Sequence, residues 1–221
     1  MTNKELNIMR ITVFGAAGNV GSRVVAEALT RGHEVTAVVR DPARFSELPA
    51  AAIARAANAA NVEDIAALSA GQDVVISATR PTPGHEGELV STAKTLLAGL
   101  RRTGTRLLLV GGAGSLLVPG QEGATVIDDP KFLPAAWRDI AQACIDQLKV
   151  CRAEPTVDWA YLSPPALLQP GERTGHYRLG DDELLLDVNG NSTISMEDLA
   201  VALLDEVERP KRHRTRFTVA Y

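Results

Sequence analysis

The stretch RITVF, Arg10–Phe14, runs directly into GAAGNVG, Gly15–Gly21, and these residues decide the fold. Ile11, Thr12 and Val13 form a β-branched run, which predicts a strand. Val20, Val24 and Ala28, with Val25 and Leu29 beside them, recur at helical spacing over Asn19–Thr30 and predict a helix. Between strand and helix the glycines fall as G-x-x-G-x-x-G. Gly15 permits a tight turn, Gly18 lets backbone amides come close to an anion, and Gly21 lets the helix pack near the strand. Free N–H groups at a helix start bind anionic oxygens, so the turn reads as a cradle for the pyrophosphate of a dinucleotide. Three glycines alone are a weak signal; the strand before and the helix after supply the required context.

Outward from that turn, strands and helices alternate. Gly32 ends the first helix, and EVTAVV (Glu34–Val39) is a second strand. Asp41 and Pro42 open a helix as N-cap and first helical residue. A third strand at Ala51–Ala57 is weakly marked because it is mostly alanine. Val62–Leu68 is a short helix, Asp73–Ser77 a fourth strand, Glu88–Arg101 a helix closed by Gly104, and Arg106–Val110 a fifth strand. A glycine-rich loop (Gly111–Gly114) leads to a helix over Pro134–Ala153, with Trp137, Ile140, Ala141, Cys144, Leu148 and Cys151 expected on its inward stripe. Val157–Leu162 is the sixth strand. Prolines and glycines then break the rhythm until Ser195 caps a helix over Met196–Glu208, and Arg216–Ala220 is a last strand. The pattern predicts an α/β fold, a Rossmann-type doubly wound parallel sheet. Residues 163–195 are expected to form a small lid over the carboxyl edge of its strands. Residues 1–8 read as a leader and 9–221 as a single domain.

The 221 residues are 45% hydrophobic and 23% charged, with a formal net charge of −4. A chain of this length can bury a core without metal or disulfide. The acidic balance argues against nucleic acid as a partner, and the absence of a long apolar run argues against a membrane. The expected setting is the cytoplasm, as a monomer or homodimer acting on a small molecule. Cys144 and Cys151 lie seven residues apart, roughly 10 Å along a helix, too far for a bridge. The four histidines show no metal-ligand spacing, so no metal is expected.

The end of the second strand selects the cofactor, since an acidic residue there would hold a ribose 2′-hydroxyl and an arginine a 2′-phosphate. Arg40 stands nineteen residues after Gly21, and the following Asp41 is needed as a cap. Arg44 could add a second cation. NADP(H) is therefore favoured over NAD(H).

GAAGNVG, EVTAVVRDPARF, AGQDVVISA and LLLVGGAGSLLV together resemble an atypical short-chain dehydrogenase/reductase. Within that group the chain is similar to the NADH-flavin reductase branch, akin to biliverdin-IXβ/flavin reductase. PGERTG and STISMEDLAVALLDEVERP extend the likeness toward the end of the chain. The resemblance implies that Ala17, Gly18, Asn19 and Val20 contact the diphosphate and that Arg40 meets the 2′-phosphate. It implies that Ala78, Thr79 and Arg80 line the ribose and nicotinamide side, with Gly111, Gly112 and the loop to Ser115 under the nicotinamide ribose. Ser163, Pro164 and Pro165 would border the nicotinamide. The branch has Gly-Asp after the third strand, where this chain has Ala57-Asn58; Asn58 could still accept a hydrogen bond from the adenine amine.

None of the three tyrosines, Tyr161, Tyr177 and Tyr221, has lysine four residues later, so the Tyr-x-x-x-Lys proton donor of ketone reduction is missing. Flavin or quinone reduction needs no such acid, because solvent can supply the proton while the protein positions the rings. A flavin would then be a substrate rather than a resident cofactor. Ser115 is the best polar candidate near the nicotinamide. A non-catalytic NADP(H) sensor is the alternative reading; a sugar-nucleotide epimerase, which also wants the tyrosine, ranks last.

Overall fold

The computed structural model describes residues 8–221, so the expected leader lies outside the described residues apart from Ile8. The first turn folds as its spacing predicts, with β1 at Arg10–Phe14 and α1 at Asn19–Thr30. β2 spans Glu34–Val39, after which Pro42–Glu47 is a 3-10 helix rather than an α-helix. Asp41 caps it, its Oδ1 accepting from the Ala43 N–H at 2.9 Å. The alanine-rich strand shrinks to β3, Ile53–Ala56. There follow α2 (Val62–Ser69), β4 (Val74–Ser77), α3 (Glu88–Thr103), β5 (Arg106–Val110), α4 (Arg138–Arg152) and β6 (Trp159–Ser163). The chain ends with β7 (Leu167–Gln169), β8 (Arg178–Gly180), β9 (Thr193–Ser195), α5 (Met196–Glu208) and β10 (Thr215–Ala220).

The main sheet has eight strands in the order β3-β2-β1-β4-β5-β6-β10-β8. All neighbours are parallel except β8, which runs antiparallel to β10. The chain winds one way from β1 to β3 and the other way from β4 onward. The direction reverses between β1 and β4, and such a switch point leaves a crevice at the carboxyl ends of the strands.

Helices cover both faces, which is why the central strands are mostly apolar on both sides. On one face, Val24 and Ala28 of α1 and Leu199 and Leu203 of α5 bury against Ile11, Val13 and Ile76. On the other, Ile65 of α2, Leu96 and Leu100 of α3 and Leu148 of α4 bury against Phe14, Val75, Leu107 and Leu109. Each fully buried side chain of this kind contributes about 1.5–3 kcal/mol over leaving it exposed. A third, smaller cluster (Leu116, Val118, Val126, Phe132 and Leu184) ties the long connection after β5 to the segment after β8.

Residues 163–195 divide their work. β7 and β9 pair as a small parallel ladder, and β8 extends the main sheet beyond β10. Residues 170–177 form a strap along α1 and α5. Arg173 donates to both carboxylate oxygens of Glu27 at 2.7 and 2.8 Å. Thr174 Oγ1 and the Gly175 N–H donate to Asp198 at 2.6 and 2.7 Å, and the Tyr177 hydroxyl donates to Asp205 at 2.5 Å.

Candidate functional site

The glycine turn closes through hydrogen bonds from Ala16 N–H to Val38 O (3.2 Å), Gly18 N–H to Gly15 O (2.9 Å) and Ser22 N–H to Gly18 O (2.9 Å). Gly15 has φ +79°, and a Cβ there would lie 2.7 Å from Ala78 O at the end of β4. A Cβ on Gly21 would lie 2.0 Å from Gly15 O, so glycine at both positions is dictated by backbone approaching backbone. Gly18 is the N-cap of α1, and no side chain caps that end. α1 has no acidic residue in its first turn, whereas α2, α3, α4 and α5 each carry at least one. The positive pole of α1 is thus left uncompensated, with the amides of Asn19, Val20 and Gly21 at its open end. That is the donor set a diphosphate requires, and this chain's turn fits it.

Arg40 follows β2 directly and is exposed. Neighbouring Arg44 is already engaged: its guanidinium donates to Glu47 at 2.7 and 2.8 Å and to Ala17 O at 2.8 Å. Arg44 therefore braces the glycine turn, while Arg40 makes no hydrogen bond or ion pair among the described residues. Asn58 Oδ1 accepts from the Ala60 N–H at 3.0 Å, which leaves its Nδ2 as the more available group.

The loop after β5 owes its glycines to packing. A Cβ on Gly111 would fall 1.9 Å from Tyr161 Cζ, and one on Gly112 would fall 2.8 Å from Cys144 Cβ. These contacts bring the first turns of α4 against the carboxyl end of the sheet. Ser115 Oγ accepts from Arg216 Nη1 at 2.9 Å, and Arg216, buried on β10, also pairs with Asp182. Pro164 and Pro165 are buried where the chain leaves β6, and the buried Ser163 Oγ just before them has no hydrogen-bond partner among the described residues. Thr79 Oγ1 lies 3.2 Å from Ser77 Oγ.

All three tyrosine hydroxyls are committed elsewhere. Tyr161 donates to Cys144 O (2.9 Å) or Gln147 Oε1 (3.1 Å), and burial pushes its pKa well up. Burial and the Asp205 carboxylate raise Tyr177 likewise, and Tyr221 donates to Asp198 or Ser195. Burial also pushes the thiol of Cys144 up to about 11 and that of Cys151 to about 12, so neither is a ready nucleophile.

The expectation for Trp137 is overturned. It sits in a 3-10 turn, Ala135–Trp137, ahead of α4, so the helical phase does not reach it, and its side chain is 52% exposed. The Arg80 guanidinium stacks over its ring at 5.2 Å from the centroid. Sequence reasoning missed this pair, and the proline at 134 was the available signal that the helix starts late. Two small clefts, about 220 Å³ between α3 and α4 and about 170 Å³ between α1 and the strap, are lined partly by paired charges. Neither is lined by residues of the glycine turn itself.

Residues 15–210 match the family described as NAD(P)H-binding. YwnB of Bacillus subtilis is 37% identical over 213 residues, which is 96% of this chain and 98% of that protein. A solved structure from Burkholderia pseudomallei, provisionally named an exported protein, is 41% identical with a TM-score of 0.87, covering 97% of this chain and 100% of the other. Another, from Streptococcus pneumoniae and provisionally named an NADH-flavin reductase, is 31% identical with a TM-score of 0.84, covering 96% and 99%. Among the described residues no helix is long and apolar enough to cross a membrane. With the glycine turn, the switch point and these likenesses together, the chain belongs to the NAD(P)H-binding family.

Proposed function

We propose that this protein is an NADPH-dependent oxidoreductase that passes hydride to a flavin, quinone or similar flat acceptor. The observation that carries the reading is the uncapped, acid-free N-terminus of α1 behind the glycine turn, with an exposed Arg40 after β2 that is unpaired among the described residues. The amides of Ala17 to Gly21 hold the diphosphate, with Gly15 shaping the turn, and Arg40 holds the 2′-phosphate. Asn58 meets the adenine through its amide. Ala78, Thr79 and Arg80 line the ribose side, Gly111 and Gly112 support the nicotinamide ribose, and Pro164 walls the nicotinamide. When bound, NADPH supplies two electrons and a proton as hydride to the acceptor ring, and water supplies the second proton. Ser115 accepts from Arg216, which leaves its own O–H free to donate to an acceptor carbonyl and orient it. No tyrosine serves as acid, in keeping with the occupied hydroxyls. We place this chemistry in the cytoplasm, where free thiols such as Cys144 persist.

The test is to follow NADPH absorbance with FMN, riboflavin and a benzoquinone as acceptors. Protein-dependent oxidation well above background with at least one of them is expected. Tight NADPH binding with no oxidation across the panel would instead favour the sensor role.

A further inference from the structure

Trp137, to which the cofactor contacts proposed above give no role, lies beside Arg80 of the ribose-lining segment. Trp137 exposes about half of its indole, and the Arg80 guanidinium lies over that ring with no carboxylate paired to it among the described residues. Two lines place the pair at the hydride-transfer end of the crevice. Arg80 is the third residue beyond Ser77, which ends β4 at the switch point. Trp137 precedes α4, whose Cys144 packs on Gly112 in the loop after β5. The Arg80 charge also reaches Cys144, lowering its thiol against the effect of burial. Arg80 and Trp137 thus stack on each other on the side of the sheet where Cys144 packs on Gly112.

Resting on the function proposed above, we infer that Trp137 and Arg80 are the acceptor platform, selecting a flat, electron-poor ring that carries a negative charge. An exposed indole offers a wide π-face that a second ring can stack on. An unpaired guanidinium offers a planar fork of N–H donors for a phosphate or carboxylate on the same molecule. A guanidinium already resting on an indole needs little reordering to reach either. The chemistry on the page thus favours a flavin mononucleotide over the neutral riboflavin, and a carboxylated quinone over a plain one.

The chain has two tryptophans, and Trp159 is buried, so Trp137 is a separable reporter. Protein saturated with NADP⁺ is titrated with FMN and with riboflavin, following intrinsic fluorescence and, independently, heat. FMN is expected to bind the wild type several-fold more tightly than riboflavin and to quench emission. Trp137→Ala should weaken FMN binding about tenfold and leave the NADPH dissociation constant within about twofold. Trp137→Phe should recover part of the affinity, and Arg80→Gln should erase the preference for FMN over riboflavin. Equal FMN affinity in wild type and Trp137→Ala, with NADPH oxidation intact, would overturn the platform while leaving the hydride-transfer reading standing. Equal binding of FMN and riboflavin by the wild type would also overturn it. A wild type that binds NADPH yet neither binds nor reduces any flavin or quinone would remove both readings together.

Discussion

Replacing Arg40 by alanine should convert the protein from an NADPH-preferring to a nearly indifferent dinucleotide binder. Arg40 directly follows β2, exposed and unpaired among the described residues. A 2′-phosphate brings close to two negative charges. At about 4 Å in solvent-like surroundings each unit charge is worth about 1 kcal/mol, so the contact contributes about 2 kcal/mol, or roughly thirtyfold in dissociation constant. NADH lacks the phosphate, and its affinity should move less than about twofold. Arg44 provides the internal control. Its guanidinium is bound to Glu47 and to Ala17 O, so it braces the diphosphate turn. Arg44→Ala should therefore weaken NADPH and NADH by the same factor. Calorimetric titration of both dinucleotides against wild type and the two variants measures this directly. Because Arg40 is exposed, raising salt should shrink the NADPH preference of the wild type and leave that of Arg40→Ala unchanged. An unaltered NADPH-to-NADH ratio in Arg40→Ala, or a larger change in Arg44→Ala, would refute the reasoning.

Other outcomes follow from packing and charge. Gly21→Ala places a methyl 2.0 Å from Gly15 O, where only backbone could yield, and should cost about 3 kcal/mol of stability together with dinucleotide binding; thermal melts with and without NADPH report both. Tyr161→Phe should cost about 1 kcal/mol through the lost buried hydrogen bond and leave NADPH oxidation intact, which separates Tyr161 from any role as acid. For Glu154, burial raises the pKa, but Thr156, Arg101 and the Thr156 and Val157 amides outweigh it and hold the carboxyl at about 2. Its folded pKa is depressed, so its contribution is present above the ordinary value of 4.5 and lost as pH falls toward 2. The melting deficit of Glu154→Gln should accordingly narrow over that interval. Labelling of Cys144 and Cys151 by a thiol reagent at pH 8 should stay slow until denaturant is added, because thiols raised to about 11 and about 12 carry almost no thiolate there.

Much of this architecture was legible because local signals agreed with one another. β1, α1 and β2 fall on the residues that periodicity and glycine spacing select, and Gly104 does stop α3 in a left-handed conformation, φ +72°. β3 was harder, since alanine declares neither period; it survives as an edge strand held by β2. Trp137 misled because an apolar residue at the right spacing was assumed to share the helix, and the turn after Pro134 rotates it outward. The glycines at 111 and 112 answer a second demand that the sequence did not show, close packing against Tyr161 and Cys144, partners that only the folded sheet brings near. Arg216 could not be foreseen for the same reason: its contacts with Ser115 and Asp182 span long sequence separations.

The margins of the main sheet are narrow. One border strand, β3, is four residues long and the other, β8, is three. Exposed peptide groups on such short borders give an incoming chain little to register against, even though Ile53 and Leu179 show apolar surface there. Self-association by growing the sheet sideways is thereby disfavoured.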